Sequence, residues 1–211
     1  MSSIIKSDNG VSSGVTGIVQ IADSSGQLAF QTTNSAGTAV TALTINNSQI
    51  VTFANQLTAA SMPTGSVIQV VQGVSTTGTV STTSATYTST GFTTTITPLL
   101  STSKILILFT GGFSTFGSAP NNGSISIRSS INGGSYSSVT GNTNDIQLQA
   151  SNSTATVGMQ WSWSYLYSPS TTNSVAITPY FNSTASGNTQ FYINYNGSSG
   201  TTMQITLMEI R

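Results

Sequence analysis

Between Met159 and Tyr167 every second residue is large and apolar: Met159, Trp161, Trp163, Tyr165 and Tyr167, with Gln160, Ser162 and Ser164 between them. A period of two is the repeat of a β-strand, whose successive side chains point to opposite faces. The pattern recurs at Ile146, Leu148 and Ala150, at Val175, Ile177 and Phe181, and at Phe191, Ile193 and Tyr195. No window of twelve residues carries a helical period. Alternating strands offer one face to a core and one to water, so together they predict packed antiparallel sheets.

Composition bears on whether such strands fold at all. The chain holds 37 Ser, 36 Thr, 16 Asn and 20 Gly in 211 residues, and only 4% of its residues are charged. A linker could share that polarity. The net charge is zero, however, and 36% of residues are hydrophobic, the reverse of the disorder signature of high charge and low hydrophobicity. Thr, Val, Ile, Tyr and Phe favour strands, while Gly, Asn and Ser supply turns. The reading is an all-β protein solubilised by hydroxyls and amides.

Ala59–Gly65 (AASMPTG) separates two textures. The expected division is an N-terminal anchor or stalk over 1–60, a linker over 61–65, and a larger domain over 66–211. Upstream strands are predicted at Gly17–Ile21, Leu28–Thr32, Val40–Ile45 and Ile50–Phe53. That part is too small to bury a convincing core alone, so its order should depend on copies of itself or on a larger assembly. Downstream strands are predicted at 66–72, 79–82, 84–90, 92–98, 103–110, 124–131, 145–150, 157–168, 173–182, 189–196 and 202–210. Their spacing fits a β-sandwich or jelly roll.

Several function classes fall away on charge and residue type. The basic residues are Lys6, Lys104, Arg128 and Arg211, too few and too scattered to neutralise a nucleic-acid backbone. There is no His and no Cys, so a zinc site of the usual kind, a Ser-His-Asp triad and disulfides are excluded. No cofactor is expected. The acids Asp8, Asp23, Asp145 and Glu209 are far apart in sequence; only folding could unite Asp145 with Glu209 as a glycosidase pair. Ser3–Lys6 and Ser101–Lys104 match S-x-x-K, a match that 37 serines make expected by chance. The expectation is a protein that is not an enzyme. Met1–Gly10 lacks the apolar core of a secretion signal, and the longest apolar run, Ile105–Phe109, is far too short for a membrane span.

That run does not alternate. A strand apolar on both faces needs cover on both, which predicts a homo-oligomer contact through Ile105, Leu106, Ile107, Leu108 and Phe109. The Trp161–Tyr167 row has two readings, the innermost core strand of a sandwich or a stacking platform for sugar rings. The loops over 111–123, 132–144 and 183–190 carry Phe113, Phe116, Asn121, Asn122, Asn142, Asn144 and Asn188. These are the candidate contacts to a receptor such as a neutral surface glycan.

Four segments carry a family likeness: Gly65–Gln72 (GSVIQVVQ), Thr93–Leu108 (TTTITPLLSTSKILIL), Tyr165–Val175 (YLYSPSTTNSV) and Ile205–Arg211 (ITLMEIR). In this order they resemble a C-terminal module of tailed-phage structural proteins, and residues 42–57 are similar in texture to stalk or anchor regions of marine and cyanobacterial phage fibres. The resemblance implies a virion protein assembled in the host cytoplasm, with a trimeric jelly-roll knob of the tumour-necrosis-factor-like kind. It implies a fibre or fibre tip attached to other virion proteins through residues 1–60. The alternatives are a capsid decoration protein or head fibre and, in a different class, a free carbohydrate-binding module.

Overall fold

The structure is a computed structural model that describes residues 8–9, 16–17, 27–33, 35–54, 58–75, 78–116, 121–150, 157–183, 190–193 and 202–211. Its contacts divide the chain into two units, Met1–Thr58 and Ala59–Arg211.

In the first unit β1 (Asp8–Asn9) pairs with β2 (Thr16–Gly17). A separate antiparallel sheet runs β3 (Leu28–Thr33), β4 (Ala39–Ile45), β5 (Val51–Phe53). Its register sets Leu28 opposite Ile45 and Ile45 opposite Val51, and sets Phe30 opposite Leu43 and Leu43 opposite Phe53. Directly opposed residues share a face, so six apolar side chains form two rows on one side of this sheet. No described residue of the unit is buried, and Phe30 and Phe53 remain about half exposed.

The second unit opens with a single 3-10 turn, Ala59–Ser61, and continues as a two-sheet sandwich. The first sheet holds β6 (Val67–Val74), β7 (Val80–Thr82), β10 (Lys104–Phe116), β14 (Val157–Tyr167), β16 (Gln190–Ile193) and β17 (Gln204–Ile210). β10 is flanked along its length by β14 on one side; on the other, β17 covers its first half and β16 its end. β6 and β7 then close β17 and β16. The second sheet holds β8 (Thr88–Ser89), β9 (Thr94–Ile96), β11 (Asn121–Ile131), β12 (Ser137–Ser138), β13 (Ile146–Ala150) and β15 (Val175–Ser183). Here β12 and β13 pair with β11, β11 with β15, and β15 with β8 and β9. Each sheet is four strands wide and wholly antiparallel, a jelly-roll sandwich. Within this unit, of the described strands, β12 alone lacks a counterpart among the predicted ones.

The core lies where the inner faces meet. Ile105, Ile107, Phe109 and Phe113 of β10 and Ile205 and Leu207 of β17 pack with Ile125 and Ile127 of β11, Ile146 and Leu148 of β13, and Val175, Ile177 and Phe181 of β15. Burying each such side chain contributes roughly 1.5–3 kcal/mol. One hydroxyl pair crosses the interior: Ser129 donates to the Tyr167 hydroxyl at 3.0 Å.

The stretch expected to act as a linker is tied into the sandwich. The Gly65 amide donates to the Arg211 carbonyl at 2.6 Å and the Arg211 amide to the Ser66 carbonyl at 3.0 Å. Gly65 reaches this position with φ near 90°, in the left-handed region that glycine enters without strain. Gly73 on β6 is required for another reason, because a Cβ there would run into the Thr94 side chain on β9.

Candidate binding surfaces

Three of the five residues assigned to a chain–chain contact belong to the chain's own core. Ile105, Ile107 and Phe109 are 0% exposed. The run is apolar on both faces, as read, but only its other parity faces outward: Leu106 and Leu108, both half-buried. The register extends this outward row across the sheet, with Leu166 opposite Leu106, Leu106 opposite Met208, and Met208 opposite Val70. Val70 is 54% and Leu166 45% exposed. An apolar row therefore crosses the first sheet on its outer side, over β14, β10, β17 and β6. Beside it the same face turns polar. Gln72 and Gln204 both donate to the Thr206 hydroxyl at 3.3 Å, and Thr110 and Ser162 line two shallow clefts of about 310 and 340 Å³. Val70, Leu166 and Met208 carry no signal within their own strands; only the register places them in line.

The aromatic row of β14 takes an intermediate position. Met159, Trp161, Trp163, Tyr165 and Tyr167 stand opposite Phe113, Gly111, Phe109, Ile107 and Ile105, so they do face inward. Trp161, Trp163 and Tyr167 pack against the core, whereas Met159 is 48% and Tyr165 37% exposed. Among the described residues β14 has β10 as its one neighbour in the sheet, and an edge strand is covered less than a central one. The row is the rim of the core rather than its centre.

The receptor candidates scatter. Phe113 is 1% exposed and stacks on Phe109 at 6.0 Å; it belongs to the core, because β10 continues through Phe116 where a loop was expected. Phe116 and Asn121 lie in strands, with their side chains outside the described set, and Asn188 lies outside the described residues. Asn122 sits on β11 and lines a cleft of about 190 Å³ with Ser124, Gln147 and Gln149. Asn142 and Asn144 are exposed, and Asn144 accepts a hydrogen bond from the Tyr87 hydroxyl.

The Asn144–Tyr87 contact belongs to a cluster on the outer face of the second sheet. The Arg128 guanidinium lies 4.9 Å from the Tyr87 ring centre and 4.7 Å from that of Tyr180, and the Tyr136 ring lies 5.5 Å beyond Tyr180. Burial holds the Tyr87 phenol above its ordinary pKa, opposed by its hydrogen bond with Ser124 and by the charge of Arg128. In the sequence Arg128 reads as one more isolated cation. The tyrosines come to it from three separate segments.

Glu209 and Asp145 both bind the chain's own backbone. Glu209 is 0% exposed. Its oxygens accept from the Leu99 amide at 2.9 and 3.0 Å, from the Leu100 amide at 3.2 Å, and from the Gln69 side chain. Asp145 accepts from the Ile127 amide and from the Thr140 hydroxyl, both at 2.6 Å. Glu209 lies on β17 of the first sheet and Asp145 just before β13 of the second, with separate partners, and they do not form a pair. Ser101 and Lys104 are both exposed beside the turn that Glu209 holds. Among the described residues no group of three or more His, Cys, Asp or Glu could hold a metal, and no helix is long and apolar enough to cross a membrane.

No family model matches the chain, and no curated protein matches it. Among solved structures it is similar to a chain in the "Structure of infectious bursal disease virus Gx strain" at 11% identity, covering 76% of this chain and 40% of that one, with a TM-score of 0.26. The chain thus spans well under half of that viral protein, and a likeness this weak carries no argument about activity or partners.

Proposed function

We propose that the chain is a virion structural protein of the fibre or fibre-tip kind, a homotrimer in which the jelly roll is displayed and the first unit attaches to the particle. The observation that carries this reading is the apolar row Val70, Met208, Leu106 and Leu166 on the outside of the first sheet. On a chain solubilised by hydroxyls and amides, such a contiguous row is best accounted for as a contact surface. The two apolar rows of the β3–β4–β5 sheet support the same reading, since a sheet whose described residues are none of them buried gains its burial from partners.

The tailed-phage resemblance supports the virion assignment. Its four segments map to β6, to β9 with the following turn and β10, to the passage from β14 to β15, and to β17. Glu209 joins three of them by binding Gln69, Leu99 and Leu100. The likeness therefore covers one connected part of the sandwich, with the apolar row on its outer side.

Light scattering of the purified full chain tests the oligomer. The expected mass is that of three chains, and Leu106→Asp is expected to shift it to one, because an unpaired charge in an apolar contact is strongly unfavourable. A monodisperse wild-type monomer overturns the reading. Antibody labelling of intact particles tests the role: label at fibre ends is expected, label over the shell assigns the protein to capsid decoration, and unlabelled particles overturn the virion assignment.

A further inference from the structure

We infer that the outer face of the second sheet binds a carboxylate-bearing saccharide, with Arg128 as the carboxylate clamp. The inference does not depend on the virion assignment. Arg128 projects from β11, directly opposite Thr178 on β15, on the side of the sheet away from the core. Its guanidinium is fixed between the Tyr87 and Tyr180 rings, and its one hydrogen bond among the described residues is a long one, from Nε to the Ser126 hydroxyl at 3.5 Å. A guanidinium carries five N–H donors, and the terminal fork has no acceptor among the described residues. The side chain is only partly buried. An oriented, unspent fork matches the two oxygens of a carboxylate. The nearby acid, Asp145, is already committed to Ile127 and Thr140.

What surrounds the fork points to a sugar rather than to a polyanion. Tyr87 links Arg128 to Asn144, whose Oδ1 accepts the phenol proton, which leaves an exposed Nδ2 as donor. Ser124, beside Tyr87 and lowering its pKa, lines the cleft of about 190 Å³ where Gln147 and Gln149 stand exposed. Amides and phenols in a row suit hydroxyls arrayed around a ring, with Tyr136 as a further apolar surface beyond Tyr180. A nucleic acid needs several cations to release its counterions. The other basic residues of this unit, Lys104 and Arg211, lie on or next to strands of the first sheet.

Titration calorimetry of the full chain with a galacturonic-acid trisaccharide, its methyl ester and an Asp/Glu tripeptide tests the inference. Saturable binding of the acid is expected, with the methyl ester about tenfold weaker or worse, because the charge-assisted bonds are lost. Arg128→Gln is expected to lose a similar factor. Arg128→Lys, which keeps the charge and can still lie between the rings, is expected to melt near wild type and yet bind the acid several-fold more weakly, because the fork is gone. Absence of saturation with the acid, equal affinity for acid and ester, wild-type affinity in both variants, or a tripeptide that binds as tightly as the saccharide would each overturn it.

Discussion

At the scale of single residues, most of the chemistry available to this chain goes into holding its own backbone. Glu209 shows how. A carboxylate that is 0% exposed persists because backbone amides from Leu99 and Leu100 and the Gln69 side chain replace its hydration. Glu209→Ala leaves those donors unpaired and is expected to cost about 2–4 kcal/mol. Glu209→Gln keeps an acceptor oxygen and should cost about half as much. Urea unfolding of the two variants checks the order, and equal stability of wild type and Glu209→Ala would remove Glu209 from the account. The sequence shows Glu209 as an isolated acid in an apolar strand. Its partners lie more than a hundred residues away, so nothing local could reveal them. Phe113 failed as a loop residue for a related reason: GGFSTF reads as a turn-rich stretch, but β10 runs through it to Phe116 because β14 and β16 supply ladder partners on both sides.

Strands were legible as elements and illegible as neighbours. Alternation along 157–168 located β14 nearly to the residue, yet gave no hint that among the described residues β10 alone would flank it in the sheet. That placement decides the energetics of its aromatic row. Trp163, half-buried and packed on the core, is expected to lose about 2–3 kcal/mol on truncation to Ala, below the 3–5 of a wholly buried aromatic. Tyr165, 37% exposed on the same face, should lose about 1 kcal/mol or less. Chemical denaturation of the two variants checks the gradient, and equal losses would mean that β14 is covered in the assembled protein more evenly than in the single chain. β10 shows the same limit. Its apolar run showed two apolar faces, while the division of Ile105, Ile107 and Phe109 inward from Leu106 and Leu108 outward follows from which parity meets the second sheet.

For the whole molecule, the unequal burial of the two units sets the expectation. Ala59–Arg211 contains every buried core residue among the described ones, so a chain beginning at Ala59 is expected to be soluble, to give an all-β circular dichroism spectrum and to melt cooperatively. It is also expected to keep the wild-type oligomeric state through the row around Leu106, and to lose attachment to particles. Aggregation or loss of the melting transition would make Met1–Thr58 part of the fold, and retained attachment would move the particle contact to the jelly roll. The sequence by itself determined the strand class, nearly every strand position and the texture change near Ala59, because period-two alternation and turn residues act within a few positions of each other. It also settled what the chain lacks, since missing His and Cys and scarce charge are properties of the list of residues and not of their arrangement. The tertiary structure alone decided which parity faces the core, which strand lies at an edge, and that Arg128 stands between Tyr87 and Tyr180. Each of these depends on pairings between distant segments, and those pairings are fixed by the mutual burial of two sheets rather than by any local preference.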